Sequence, residues 1–432
     1  MTASISPVSR IKGTIRLPAS KSYSIRAFFV AACGGFSTIK YPSDCDDAKV
    51  AMRLAENLGA KLEASANAFH LSVPSTTLVA KEFNVGESGT SLRFLLPLLA
   101  LRASAAHVVG HGTLIGRPNK HLCQSLREAG MDIEGTSENE SIPIIYKGGS
   151  ITASVITIDG SLSSQFISAL LIALPRLGAD TIIEVKGNIV SADYIVMTRQ
   201  ILEEAGVKVT VVNSRKFLVK GNQTFRGLSN FIVPSDYGLA AFPLAAAALI
   251  QSSVTLEGYF NDKFVQADGH ILNFLKEMGV KFNKGAKSIV VHGPFQLKGG
   301  TFSLKDCPDL VPIMAVLALF AKGQTKLTGI AHARVKESDR IGDLSHELQK
   351  VGAKFKITDD AMTIIPQEQY TSDILLDSHK DHRLAMAFTV LAGKIGCRIN
   401  DLSCTHKSYP AFVEHMTTLG FKICFDSQSK FR

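Results

Sequence analysis

Six helical stretches along this 432-residue chain end in the same phrase: a glycine, an apolar residue, then a strand-like run. The glycines are Gly59, Gly130, Gly206, Gly279, Gly352 and Gly420, with spacings of 71, 76, 73, 73 and 68 residues. At five of them a lysine follows two places later (Lys61, Lys208, Lys281, Lys354 and Lys422), and Asp132 is the exception. Glycine suits the left-handed residue that closes a helix, and a cation suits the negative end of the helix dipole. Six such ends at a near-constant period predict a repeated architectural unit. A period of about 70 residues exceeds the roughly 20–50 of solenoid repeats and leaves room for two helices and several strands.

A second symmetry lies on top of the first. Leu17-Pro18-Ala19-Ser20 and Val233-Pro234-Ser235-Asp236 are similar phrases whose prolines lie 216 positions apart, half the chain. Each half then holds three units, which predicts two α/β domains of pseudo-threefold symmetry: residues 21–234, and residues 235–432 together with an N-terminal strand within 1–20. The strand Ile11–Leu17 is expected to join the second half, so the chain would cross between domains twice. With 46% hydrophobic residues and no low-complexity segment, the chain can fill two cores.

The longest apolar run, Ala240–Ile250, falls short of the ~18 residues that span a bilayer, and the first residues lack the pattern of a signal peptide. Seven cysteines at 33, 45, 123, 307, 397, 404 and 424 form no C-x-x-C, which points to reduced thiols in a cytoplasmic protein and away from a zinc site. The net charge of +9 does not gather into the aromatic-interleaved basic stripe of a nucleic-acid binder. Basic residues cluster instead in short motifs rich in Ser, Gly and acid, the composition of a cleft for small anions.

Pro18–Ala27 reads P-A-S-K-S-Y-S-I-R-A, with serines around Lys21 just before a helical pattern and Arg26 one turn further in. Unpaired amides at a helix start together with Lys21, Ser22 and Arg26 make an anion cradle, although a simple N-cap needs the same residues. In Val85–Arg93, V-G-E-S-G-T-S-L-R, the glycines either let amides approach an anion closely or only form a tight turn. Gly116-Arg117-Pro118 sets an arginine beside a rigid turn. Asp159–Phe166 carries Ser163, Ser164 and Gln165, three neutral hydrogen-bonding side chains, into an apolar helix; Ser191 and Tyr194 take the matching place one unit later.

Arg334–Arg340, R-V-K-E-S-D-R, puts five charges into seven residues after an apolar strand. As a helix it would place Lys336 and Arg340 on one face with Glu337 beside them, although such runs are generically solvated faces. Asp309 and the triplet Asp381-His382-Arg383 stand where apolar helices begin, and His406-Lys407-Ser408-Tyr409-Pro410 precedes the last helix. Each motif alone is weak. If the repeats bring these helix starts together, dipoles and cations converge on a highly anionic ligand.

Taken in order, S-K-S-x-x-x-R-A, G-x-S-G-T-x-x-R, R-P, S-S-Q, R-x-K-E-S-D-R, D-H-R-x-A-M and K-x-Y-P resemble the 5-enolpyruvylshikimate-3-phosphate synthase family over essentially the whole chain. The resemblance implies a two-domain inside-out α/β barrel, each domain made of three βαβαββ repeats, that closes on its substrates. It implies transfer of the enolpyruvyl group of phosphoenolpyruvate to the 5-hydroxyl of 3-phosphoshikimate with release of phosphate, on the route to chorismate and the aromatic amino acids. No metal or organic cofactor is implied, nor a nucleic-acid or membrane partner; the family is commonly monomeric.

Carried over by position, Lys21, Ser22, Arg26, Ser163, Ser164, Gln165, Ser191, Asp309 and Lys336 would hold 3-phosphoshikimate. Lys21, Gly89, Arg117, Gln165, Arg340, Arg383 and Lys407 would hold phosphoenolpyruvate. Asp309 and Glu337 would move protons, while Lys21 and Lys407 stabilise the departing phosphate. The sequence departs from the family pattern at Ala19 for Gly, Glu87 for Asn, His332 for Asn and Gly238-Leu239 for a Ser pair. Glu87 brings a negative charge to an anion-binding loop, which leaves affinity for phosphoenolpyruvate and the response to glyphosate open. The related UDP-N-acetylglucosamine enolpyruvyl transferases share fold and donor, but K-E-S-D-R and S-S-Q belong to the shikimate branch. An anion-binding pseudoenzyme on the same scaffold is the other alternative, and the joint presence of Lys21, Arg117, Asp309, Glu337, Arg340, Arg383 and Lys407 argues against it.

Overall fold

All six repeat glycines have positive φ, from +85° at Gly206 to +114° at Gly130, in the left-handed region that a side chain resists. At five of them the amide of the next residue returns to the carbonyl five residues back: Ala60 to Ala55 at 3.0 Å, Val207 to Leu202 at 2.9 Å, Val280 to Leu275 at 2.8 Å, Ala353 to Leu348 at 3.1 Å and Phe421 to Met416 at 3.0 Å. This is the Schellman closure of a helix C-terminus. The apolar residue that makes the bond is buried in every case, whereas the lysine after it is exposed. Sequence period and helix ending thus share one cause.

The computed structural model describes residues 2–74 and 80–426. It divides into one compact domain, Ala19–Pro234, and a second made of the residues up to Pro18 with those from Ser235 onward. Among the described residues each domain holds three four-stranded sheets with one topology. In the middle repeat of the first domain, Glu82–Asn84 lies parallel to Ala106–Val109, which pairs antiparallel with Ser141–Gly149, which in turn pairs with Met131–Thr136. A helix connects the two parallel strands, and a second helix precedes the hairpin.

Ends of the chain and of the first domain complete these sheets. Arg10–Arg16 runs parallel to Gln251–Glu257 along seven positions, so this strand belongs to the second domain. Thr2–Ser6 fills the hairpin slot of that domain's last sheet, between Cys397–Asn400 and Lys422–Phe425. The short strand Phe231–Ile232 supplies the missing first strand beside Phe36–Lys40.

Helices fall into two kinds. Lys21–Cys33, Gly89–Arg102 and Ser164–Ala173 in the first domain, and Tyr237–Leu249, Val311–Leu319 and His382–Ile395 in the second, are buried nearly all round. Helices apolar on every face belong inside a core. The amphipathic helices that precede the repeat glycines, such as Asp46–Asn57 and Lys120–Glu128, bury one face only. Within each domain the three inner helices pack on one another; in the first the starts of the second and third touch through Thr90 and Gln165, and in the second the three starts meet at Arg383, Gly238 and Asp309. Among the described residues no helix is long and apolar enough to cross a membrane.

One expected element is absent. Residues 336–341 are not helical; a 3-10 turn at Ala331–Val335 gives way to irregular backbone before the helix Gly342–Lys350. Asp339 is the cause, because its Oδ1 accepts from the amides of Ile341 and Gly342 at 3.0 and 2.9 Å and so opens a new helix beyond Arg340. Lys336 and Arg340 therefore share no helical face.

Candidate active site

In the first domain the polar residues gather at the three inner helix starts. Ser20 caps the first helix by accepting from the Tyr23 amide at 3.4 Å, leaving Lys21 as its first residue. The Lys21 ammonium pairs with Asp47 at 3.1 Å, both side chains largely buried. Asp47 was not singled out in the sequence; two acids opening a neighbouring helix are its only local signal. Arg26 is buried, its guanidinium donating to Thr198 Oγ1 at 2.9 Å, Ser22 O at 3.0 Å and Tyr194 O at 3.1 Å, with the Phe94 ring 5.3 Å away. Burial pushes its pKa down to about 10, so it stays charged at neutral pH.

The other two starts interlock. Gly89 opens the second helix, and the Arg117 guanidinium packs directly on it: a Cβ there would stand 3.0–3.3 Å from its Nη1, Cζ and Nη2 atoms. Ser163 caps the third helix, whose first two residues are Ser164 and Gln165. Gln165 donates to Thr90 Oγ1 at 2.9 Å and accepts from Arg93 at 2.6 Å. Arg93, whose place in the motif carries no local signal of its role, also reaches Asn119 Oδ1 at 3.3 Å and Pro118 O at 3.1 Å. It thereby ties the turn after Arg117 to Gln165. Ser191 is buried with φ +55°, an unfavourable conformation for a serine that recurs at functional turns.

In the second domain the charges form one cage. Arg340, 1% exposed, donates to Asp309 at 2.7 Å, to Glu337 at 2.9 Å and to Asp381 at 2.7 and 3.2 Å. Arg383 reaches the other Asp309 oxygen at 3.1 Å, Asp268 at 3.7 Å and the Gly238 carbonyl at 3.0 Å. Lys407 lies 3.9 Å from Glu337. Asp381 is fully buried; it caps the helix His382–Ile395 through the Arg383 amide and also accepts from Ser338 at 3.0 Å. Asp268 and Asp381 complete the cage without having been assigned from sequence.

Electrostatics follow from this geometry. Burial by itself would raise the Asp309 carboxyl, but Arg340, Arg383 and Lys336 hold it well below the usual carboxylate range. Arg340 and Arg383 are raised above their ordinary values; burial opposes the shift, and the carboxylates outweigh it. His332 is pushed down to about 3, first by burial and then by Lys336, so the imidazole beside this cage is neutral. Gly238 has a packing reason: any Cβ there would overlap the Asp268 carboxylate and crowd Arg383 at 3.1 Å.

Each domain therefore carries cations and donors at the starts of its inner helices, and the second adds two partly exposed carboxylates, Asp309 and Glu337. Cation-rich helix starts of this kind suit an enzyme whose substrates are small, multiply anionic molecules. Residues 5–416 match the family EPSP synthase (3-phosphoshikimate 1-carboxyvinyltransferase). The 3-phosphoshikimate 1-carboxyvinyltransferase of Photobacterium profundum is 33% identical over 422 residues, covering 96% of this chain and 98% of that protein. The enzyme of the same name from Methanococcoides burtonii is 35% identical over 430 residues, covering 97% and 98%. The structure of EPSP synthase from Acinetobacter baumannii superposes with a TM-score of 0.78 at 25% identity over 98% of this chain and all of that one. The chain belongs to the EPSP synthase family.

Proposed function

We infer that this protein transfers the enolpyruvyl group of phosphoenolpyruvate to the 5-hydroxyl of 3-phosphoshikimate and releases phosphate, as a cytoplasmic monomer that needs neither nucleic acid nor membrane. The observation that carries the inference is the cage of Arg340, Arg383 and Lys407 around Asp309 and Glu337. The two substrates together bring two phosphates and two carboxylates, and only a dense set of cations with planar guanidinium forks offsets that repulsion.

Lys21, Ser22, Arg26, Ser163, Ser164, Gln165, Ser191, Asp309 and Lys336 bind 3-phosphoshikimate in this proposal. Lys21, Gly89, Arg117, Gln165, Arg340, Arg383 and Lys407 bind phosphoenolpyruvate. Arg26 has most of its donors engaged within the protein, so its part is to hold the Ser22 end of the first helix and add positive potential. Arg340 and Arg383 now hold Asp309 as a weak base. A substrate carboxylate that draws these forks toward itself would restore the basicity of Asp309 for the 5-hydroxyl proton. Glu337 protonates the methylene carbon and later removes that proton, while Lys21 and Lys407 balance charge on the leaving phosphate.

The direct test is phosphate release from phosphoenolpyruvate with 3-phosphoshikimate, with UDP-N-acetylglucosamine, and with neither. Release that requires 3-phosphoshikimate is expected. Release only with the nucleotide sugar would move the protein to the sister activity, and none with either would leave an anion-binding role. Gly89→Ala gives a narrower expectation. Its methyl group would push the Arg117 guanidinium aside by a few tenths of an ångström. We expect the KM for phosphoenolpyruvate to rise about ten-fold and the KM for 3-phosphoshikimate to stay within about two-fold. Steady-state kinetics with each substrate varied in turn would show it.

A further inference from the structure

Glu87 stands inside the motif that opens an anion-binding helix, where a negative charge looks misplaced. Its surroundings give it a different purpose. The parallel strands Glu82–Asn84 and Ala106–Val109 end side by side, so the turns that follow them are neighbours. The first turn leads to Gly89; the second, residues 110–118, delivers Arg117. The two are joined by backbone bonds from Val85 N to Val109 O at 2.8 Å and from His111 N to Gly86 O at 3.0 Å. Beyond these, Glu87 Oε2 accepts from both the amide and the hydroxyl of Thr113, at 3.0 and 2.8 Å.

The turns are shaped for that contact. A Cβ on Gly110 would lie 2.7 Å from the Gly86 carbonyl, and one on Gly112, whose φ is +61°, would overlap the Glu87 carboxylate. Thr113 lies in the 3-10 turn Gly112–Leu114, and the Arg117 amide donates to Leu114 O at 3.2 Å. On the far side Gly116 N donates to Ser141 Oγ at 2.7 Å, and Asn119 donates to the Arg117 carbonyl at 3.1 Å. Arg117 thus hangs from a short turn with Glu87 at one end and Ser141 and Asn119 at the other. Its guanidinium then rests on Gly89.

We propose that Glu87 is a positioning residue for Arg117: it clamps the Gly112–Leu114 turn so that the guanidinium lies over Gly89, and it governs phosphoenolpyruvate affinity through that arginine. This rests on the assignment of Gly89 and Arg117 to phosphoenolpyruvate made above. The alternative has the opposite sign. A carboxylate acting only as a negative charge near an anion would weaken binding, so neutral Glu87→Gln would lower the KM for phosphoenolpyruvate. A clamp predicts a rise, small for Gln, whose carbonyl oxygen still takes the Thr113 amide, and large for Ala, which has no acceptor.

The experiment measures phosphate release by the full-length protein and its Glu87→Gln, Glu87→Ala and Thr113→Val variants, each substrate varied in turn. Thermal melting and amide hydrogen exchange of residues 110–117 are measured beside it. We expect Glu87→Ala to raise the KM for phosphoenolpyruvate about ten- to a hundred-fold, with the KM for 3-phosphoshikimate within about two-fold and kcat within about three-fold. Glu87→Gln and Thr113→Val should raise it about two- to five-fold, and the Thr113 amide should exchange faster in Glu87→Ala than in the wild type. An unchanged or lower KM for phosphoenolpyruvate in Glu87→Ala overturns the proposal. So does a parallel loss of kcat and both KM values that tracks the melting temperature, because that is a folding defect. Failure of the functional assignment itself is visible first in the wild type, as phosphate release that does not depend on 3-phosphoshikimate; the clamp's role in catalysis falls with it.

Discussion

Arg340→Met is expected to cost about 3–5 kcal/mol of stability, lowering the melting temperature by roughly 6–20 °C, and to abolish turnover. One guanidinium serves three carboxylates, and they would not suffer equally from its loss. Asp309 keeps Arg383 at 3.1 Å and Glu337 keeps Lys407 at 3.9 Å, both with some access to water. Asp381 is fully buried and would retain only the Ser338 hydroxyl and the Arg383 amide. An uncompensated buried charge is the expensive outcome. The double variant Arg340→Met with Asp381→Asn should therefore recover much of the lost stability while remaining inactive. Calorimetry or thermal denaturation of the three proteins checks this; a double variant as unstable as the single one would place the cost elsewhere.

Glu337→Gln is expected to lower kcat by about 10²–10⁴-fold while both KM values stay within about three-fold. The amide keeps the size of the carboxyl and can still accept from Arg340, so the cage survives. It cannot give up and recover a proton at carbon. A second readout isolates that step: protonation of the methylene makes a transient methyl group, so solvent deuterium enters the methylene position during turnover. Incorporation should fall together with kcat. Near-normal turnover in this variant would remove Glu337 from the chemistry and leave Asp309 and Lys21 to share the proton transfers.

Much of the architecture was legible because its signals are short-range. Each repeat glycine takes a left-handed conformation fixed by bonds within six residues of chain, and the apolar residue after it is buried. Five of the six inner helices read as helices with polar starts because Ser20, Ser88, Ser163, Asp236 and Asp381 cap them locally. The strand Thr2–Ser6 escaped notice: five residues of mixed character become a strand only because Cys397–Asn400 and Lys422–Phe425 leave a slot between them. The R-V-K-E-S-D-R run misled for a related reason. Its charges suggested a helical face, yet Asp339 starts a helix after it and leaves Arg340 to turn toward Asp309 and Glu337 of its own repeat and Asp381 of the next.

By itself, then, the sequence determined the helix ends and the residue types at the helix starts, since each depends on neighbours within a turn or two of backbone. Only the tertiary structure decided who pairs with whom. Arg340 meets Asp309 across 31 residues and Asp381 across 41, and Arg383 reaches the Gly238 carbonyl across 145. Lys21 finds Asp47, Arg93 finds Gln165, and Glu87 turns from a misplaced charge into the clamp of the turn before Arg117. Coulombic and hydrogen-bond partners are set by distance in space, and that distance exists only once the strands and helices within and between repeats have packed together.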